Sequence, residues 1–354
     1  MDLASDTAPN RAALCADLAS ASARGQRMRI VGGGSGGRRG RVPHTESDVI
    51  STRTFDRIIS HEPADLVATV EAGVAVADLQ AALALHGQTW IQAPTTPHST
   101  VGGVLARAES GLRRLRYGAI RDSVLQVVAI TGDGRLIQAG GKTVKGVAGY
   151  DIPRLMVGAY GTLGVIVEVT LKLWPIPPSS QWFTAEGSTE TLTQRGEQIR
   201  REIHQPGAII TSADRLWVEL IGPSADLVAP DGMHAGEPPP ALAGAGRIDI
   251  GVGPAQLPGL VTALARRGYT FQAQLGVGTC TVIFDDLTHL NEIRQLAIDA
   301  GGHATIADAP DELRNDPWGP PPAGIALMQR LKTACDPALI LNHGQFIGDL
   351  EGAR

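Results

Sequence analysis

The chain has 354 residues, 43% hydrophobic and only 4% aromatic, with 43 glycines and a formal net charge of −5. That length allows two domains with substantial cores, and the composition favours a turn-rich fold mixing helices and strands. The acidic balance and the lack of a long basic run exclude a nucleic-acid surface, and no apolar run reaches membrane-spanning length.

The first predicted element is a helix that Asn10 would cap; Leu14 and Leu18 share a face, and Gly25 ends it. A strand from Met28 to Val31 then runs into Gly32, Gly33, Gly34, Ser35, Gly36 and Gly37, where several backbone N–H groups would converge on one anion with no Cβ in the way. Gly32, Gly34 and Gly37 satisfy G-x-G-x-x-G, the dinucleotide fingerprint of a Rossmann fold. The next residues, Arg38 to Pro43, have no helical periodicity, and Pro43 stands where the helix would continue, so that reading fails. Leu66 to Glu71 reads as a strand turned at Gly73, and Asp78 as the cap of a helix through Leu85. Val124 to Ile130 and Arg135 to Gln138 form a hairpin across Thr131-Gly132-Asp133-Gly134. Gly141-Lys142-Thr143 hints at a phosphate-binding P-loop, but the glycine it requires five residues earlier is Leu136. Asp151 caps a short helix with Pro153 in its first turn. Gly158, Gly161 and Gly164 then punctuate a second turn that feeds the β-branched run from Val165 to Thr170. Two glycine turns bracketing this stretch suggest one large phosphate-bearing ligand lying across a domain.

Composition shifts at Trp174-Pro175-Ile176-Pro177-Pro178, a stiff exit that divides the chain. The second part reads as a smaller α+β unit. A helix from Glu190 to Ile203 precedes strands at Ala208–Thr211 and Leu216–Ile221. Gly222 to Gly246 is a proline- and glycine-rich loop that would be mobile or laid on the surface. A strand at Ile248–Gly251, a helix at Leu257–Arg267, strands between Tyr269 and Phe284, and a helix from Asn291 to Ala300 come next. The tail has Leu327 and Leu331 on one helical face and closes on Leu341-Asn342-His343-Gly344.

Five motifs in order carry a family resemblance. They are Val31 to Gly40, Pro94-Thr95-Thr96-Pro97-His98-Ser99-Thr100-Val101-Gly102-Gly103, Leu115 to Asp122, Lys145 to Asp151, and Tyr160 to Ile166. Together with the closing Leu341-Asn342-His343-Gly344, they resemble the vanillyl-alcohol oxidase (PCMH) type of FAD-binding domain. The resemblance is strong over residues 25 to 178, weak over the last thirty and slight between. It implies an α+β fold: a two-subdomain FAD-binding domain at 1–178, a reduced cap-like domain at 179–322, and a segment at 323–354 that returns to the FAD domain.

The resemblance implies FAD as cofactor, contacted by Gly32, Gly33, Gly34, Ser35, Gly36, Gly37, Pro94, Thr95, Thr100, Gly102, Gly103, Tyr117, Asp122, Gly161, Gly164 and Ile166. Read without it, the glycines are equally a ligand-free tight turn and a strand bulge, Ile166 is a buried strand residue, and Arg121 with Asp122 ties down a loop. Where relatives carry a flavin-linking histidine this chain has Ser35, and His98 is a turn residue, so the FAD is expected to be non-covalent. Related hydroxy-acid dehydrogenases carry an H-x-G-D-G-N-x-H motif in the cap; this chain has none, and His343 is the one candidate catalytic residue.

Within the family, the short chain and Lys145–Asp151 look most like the FAD-binding subunits of glycolate oxidase complexes. That likeness implies a larger FAD-containing subunit and an iron–sulfur subunit as partners, with a small hydroxy acid as substrate. Cys15, Cys280 and Cys335 form no C-x-x-C spacing, which is consistent with the clusters residing elsewhere. The expected location is cytoplasmic, peripheral to the inner membrane face through the partners, because Asp2 and Asp6 stand where a secretory segment would be basic. Two alternatives stay open: a self-sufficient flavin oxidoreductase acting on another alcohol or hydroxy acid, and a non-catalytic scaffold that keeps the fold.

Overall fold

In the computed structural model, residues 9–36, 38–42, 47–90, 96, 98–141, 151–347 and 350 are described. The N-terminal helix spans Pro9–Arg24, so Asn10 lies within its first turn rather than capping it. Pro9 takes the first helical position, where its fixed φ is already suitable and its missing N–H costs nothing. Leu14, Leu18 and Ala21 bury their shared face against Val128, Ile130, Val165 and Val167 of a five-stranded sheet. That sheet is antiparallel, in the order Ile58–Glu62, Val67–Glu71, Val165–Lys172, Val124–Ile130, Leu136–Gly140. The expected hairpin is its last pair.

A bulge in the central strand decides what each of its faces presents. Val128 pairs with Glu168 and Ala129 with Ile166, so the ladder skips Val167. Ile166, Val169 and Leu171 then join one core, while Val165 and Val167 join the core beneath the N-terminal helix. Glu168 is carried to the helix side, beside its cross-strand partner Glu71. Arg11 of the helix meets both carboxylates, Glu168 at 2.7 Å and Glu71 at 3.8 Å, and Arg57 closes on Glu71 from outside at 3.0 Å.

Met28–Val31 pairs in parallel with Asp48–Ser51. Residues 340–342 extend this pair along its other edge, with Met28 donating to the Ile340 carbonyl and Asn342 to the Met28 carbonyl, both at 2.9 Å. The helix expected from Asp78 begins at Val76 instead and runs to Ala84, with Ala75 as its cap and no side-chain cap bond. The Val76 N–H is satisfied by the Ser99 carbonyl at 2.9 Å, so a tertiary contact does the work of a capping side chain. Asp78 sits in the first turn, where its charge suits the helix dipole.

The second part is an eight-stranded sheet in the order His234–Gly236, Ser179–Glu186, Arg215–Gly222, Ala208–Thr211, Phe271–Gln274, Thr279–Phe284, Gly246–Gly251, His303–Asp308. Helices Thr189–Glu202, Leu257–Arg266 and Leu290–Asp299 contribute to one core with its strands. The strand period of two assigns the faces: Leu216, Val218 and Leu220 enter that core, and Trp217 and Glu219 point away from it. Ile248 and Ile250 likewise face the helices, leaving Asp249 on the other side. Arg113 grips Glu219 at 2.7 Å and Arg39 grips Asp249 at 2.6 Å, so this second face is held against the first part of the chain by charge pairs. Most of the Gly222–Gly246 segment lies on the surface, as expected, and within it His234–Gly236 forms an exposed edge strand on Ser179–Glu186.

Candidate functional site

The turn after Val31 and the segment from His98 to Ala106 lie against each other and form one wall of a cleft of about 360 Å³. The turn at Tyr160–Gly164, Ile166 and Asn342 contribute the facing wall. The volume lies within the range of ligand sites, and the lining is mixed polar and apolar.

The glycines of the first turn have different reasons to be there. A Cβ on Gly33 would stand 1.4 Å from the His98 carbonyl oxygen, and one on Gly32 would stand 2.4 Å from the Thr100 hydroxyl. Both therefore exist so that two loops can touch. Gly34 has φ +76° and open space, so it is needed for its backbone conformation. A Cβ on Gly36 would press on the Arg107 guanidinium. The N–H groups of Gly33, Gly34, Ser35 and Gly36 donate to no acceptor among the described residues. Four N–H groups without an intramolecular acceptor, bordering a cleft, suit an anionic group such as a diphosphate.

On the adjoining segment Thr100 caps the helix Val101–Ala106, its hydroxyl accepting from the Gly103 N–H at 3.3 Å. Gly102 lines the cleft, but its N–H already bonds the Ala72 carbonyl at 2.7 Å and a Cβ there would meet Ala72 at 2.8 Å. Its small size thus serves packing, whereas Gly103 is left facing the cleft. Ser35 lies 3.2 Å from the Ser99 hydroxyl and accepts from Arg107. Gly161, with φ +69°, is pressed against Asn342, and Gly164 against the Ile130 carbonyl. Ile166 is 8% exposed and presents that remainder to the cleft while packing in the core.

Three expected residues fall elsewhere. Tyr117 packs its ring on Trp174 with centroids 5.1 Å apart, and neither it nor Asp122 lines the cleft. Asp122 accepts from the Ala119 N–H at 3.2 Å and pairs with Arg154 at 3.0 Å rather than with its neighbour Arg121. The Nδ1 of His343 lies 3.0 Å from the Leu339 carbonyl within its own segment, and the residue does not line the cleft. Gly37, Pro94, Thr95 and positions 145–150 of the Lys145–Asp151 motif lie outside the described residues.

Several cleft residues are not among the expected site residues, although Arg39, Tyr160 and Asn342 lie within the motifs of the resemblance. Asn342, with φ +43°, accepts from the Ile30 N–H at 2.8 Å and donates to the Tyr160 carbonyl at 2.6 Å, joining the strand before the glycine turn to the opposite wall. Tyr160 adopts φ +54°, a conformation a bulky residue holds only when its surroundings impose it. Those surroundings are Phe346, stacked at 5.0 Å, and Trp318, edge-on at 4.9 Å. Burial pushes the Tyr160 phenol above its ordinary range, against the pull of Arg39, so it stays protonated near neutral pH. Burial works against the charge on Arg39, but the carboxylates of Asp249, which accepts its hydrogen bond, and Glu109 favour it, and the guanidinium stays charged. Arg107 is held at 2.6 Å by Glu109, and buried Arg314 donates to the Gly40 carbonyl at 3.2 Å. The cleft thus joins orphan backbone donors to fixed cations, an arrangement suited to an anionic ligand.

Comparison with known proteins agrees with this chemistry. A family model described as "FAD binding domain" matches residues 7–140. The glycolate oxidase subunit GlcE of Escherichia coli is 30% identical over 319 residues, covering 85% of this chain and 87% of that protein. The D-lactate dehydrogenase of Archaeoglobus fulgidus is 40% identical over 144 residues, or 41% of this chain and 32% of that protein. The glycolate oxidase subunit GlcD of Bacillus subtilis is 36% identical over 162 residues, 45% of this chain and 34% of that protein. Among solved structures, an alkyldihydroxyacetonephosphate synthase superposes with a TM-score of 0.64 at 17% identity, covering 94% of this chain and 75% of that one, which is a likeness of fold.

Proposed function

From the premise that this chain belongs to the FAD-binding family that includes the glycolate oxidase subunit GlcE, we propose that it is the FAD-holding subunit of a glycolate-oxidase-like complex. The observation that carries this reading is a likeness spanning 85% of the chain to a single named subunit, joined to a cleft bordered by orphan backbone donors. FAD is the cofactor of the family, and when bound it supplies two-electron chemistry toward a donor and stepwise electron release toward an acceptor.

The chain's own residues bind, orient and exclude water. The N–H groups of Gly33 to Gly36 and the hydroxyl of Ser35 would take the diphosphate, with Arg107 adding charge. Gly103, Gly161, Gly164 and Ile166 would let the ligand lie close to backbone. Arg39–Asp249 and Arg113–Glu219 bring the second sheet against this part of the chain and reduce its exposure to water. Attachment is non-covalent in this reading, supported by a cleft that has neither histidine nor cysteine among its described lining residues. We place the FAD-binding domain at 1–178, the reduced cap at 179–322 and the returning segment at 323–354. The pairing of residues 340–342 with Met28 supports that last assignment.

In this reading oxidation of the small hydroxy acid takes place mainly on a larger FAD-containing subunit, and this chain passes electrons toward an iron–sulfur subunit. Placement at the inner membrane face would come through those partners, since no helix among the described residues is long and apolar enough to cross a membrane. Co-expression tests the assignment. The chain should elute with both partners, and leaving it out should cost the complex most of its glycolate-dependent dye reduction. A complex that stays fully active without the chain contradicts the proposal.

A further inference from the structure

The cleft is held from behind by a buried ion pair that does not line it. Lys332, on the helix Ile325–Cys335, and Asp336, just beyond it, are both fully buried, with Nζ and Oδ2 2.7 Å apart. The ammonium has three protons and three acceptors. Besides Asp336, it donates to the Thr162 carbonyl and to the Leu341 carbonyl, each at 2.9 Å. Asp336 in turn accepts from the N–H groups of Ile340 at 3.1 Å and Leu341 at 2.8 Å.

Thr162 belongs to the Tyr160–Gly164 turn that contributes to one wall of the cleft, and Leu341 precedes Asn342, which ties that turn to Ile30. One ammonium therefore fixes the spacing between the turn and the segment carrying Asn342. Burying such a pair adds little net stability, because desolvation consumes most of the Coulombic gain. Geometry is what the pair delivers: the turn and the Asn342 segment lie so close that a Cβ at Gly161 would stand 2.7 Å from Asn342 Nδ2.

We propose that Lys332 and Asp336 are positioning residues for FAD, setting the width of the cleft through Thr162 and Asn342. The pair does not line the cleft. Its action on affinity passes through the turn, so FAD binding must in return tighten the segment the pair holds. This inference rests on the FAD-holding reading of the cleft.

Two measurements test it. The first is FAD affinity of a Lys332→Met, Asp336→Asn double variant, titrated at a temperature where circular dichroism shows it folded. Both charges are removed together, so no buried charge is left unpaired, and the amide oxygen introduced at position 336 can still accept from one of the Ile340 and Leu341 N–H groups, which the two carboxylate oxygens now serve separately. Affinity is expected to fall by about tenfold or more. An affinity within about twofold of the parent overturns the proposal, because a purely structural pair would alter stability without altering Kd. A parent chain that itself binds no FAD would instead overturn the reading of the cleft. The second uses the unmodified chain and stands even if the variant does not fold. Hydrogen exchange with and without added FAD should show the Ile340, Leu341 and Asn342 amides slowing more than those of Ile293–Ala297 in the second domain. Equal slowing of the two sets overturns the proposal.

Discussion

Alanine at position 33 is expected to cost the protein its FAD. Gly33 has an ordinary φ, so the added methyl strains no backbone angle; the obstacle is the His98 carbonyl oxygen, 1.4 Å from the Cβ position. Restoring an ordinary contact of about 3.5 Å requires the two loops to part by roughly 2 Å. That displacement spoils donor geometry along the turn, where each charge-assisted bond is worth about 1.5–3 kcal/mol. Losing two of them lowers affinity by at least about a hundredfold, at about 1.4 kcal/mol per factor of ten. Gly34→Ala is the informative companion. It meets open space but must hold φ +76°, so its cost is limited to about 1–2 kcal/mol of left-handed strain. Retained flavin absorbance after desalting separates the two: Gly33→Ala should come through colourless and Gly34→Ala partly loaded. Equal retention of FAD by Gly33→Ala and the parent would show that the loops do not need their present separation.

Arg11→Met is expected to destabilise the folded chain by about 3–5 kcal/mol, read as a lowered denaturant midpoint. Glu71 keeps Arg57 after the change, but Glu168 loses the guanidinium 2.7 Å away and is left with a buried charge. Glu168 faces the helix by alternation with Val169 and Leu171, which enter the opposite core, so the strand cannot return it to solvent without losing pairing. Removing the stranded carboxylate as well, in Arg11→Met with Glu168→Leu, should recover most of the loss, because an apolar pair of similar volume often replaces a buried ion pair at little cost. A single variant as stable as the parent would mean that the N-terminal helix is not held by this pair.

Much of the fold was legible from periodicity. Val124–Ile130 and Ala208–Thr211 occupy the expected residues because each is a continuous buried apolar run bounded by turn residues. Ile58–Glu62 and Asp48–Ser51 gave no such signal, because they are largely exposed and owe their extended form to neighbours distant in sequence. Ser179–Glu186 was hidden for another reason: polar residues open it directly behind a proline-rich exit. Val101–Ala106 is helical despite two adjacent glycines, since Gly102 must sit against Ala72 and Thr100 caps the turn.

The glycine turns were legible as an anion cradle, because an unusual local density of one residue type survives without tertiary information. The charged lining was not. Arg39, Arg107, Tyr160 and Arg314 come together only after two sheets close on each other; Arg39 and Tyr160 lie in the motifs of the resemblance, but only the glycines there carry a local reading. At the C-terminal end, sequence chemistry favours the imidazole of His343, yet the adjacent Asn342 lines the cleft. Its left-handed backbone and paired hydrogen bonds are tertiary facts. No local pattern distinguishes it from an ordinary turn asparagine.

The most direct test of the electron-relay assignment is the visible spectrum of the FAD-loaded chain under anaerobic glycolate, first alone and then with the larger subunit and the iron–sulfur subunit added. The oxidised flavin spectrum is expected to persist when the chain is alone and to bleach once the partners are present. Bleaching by glycolate in the isolated chain would contradict the assignment and make this subunit a dehydrogenase in its own right.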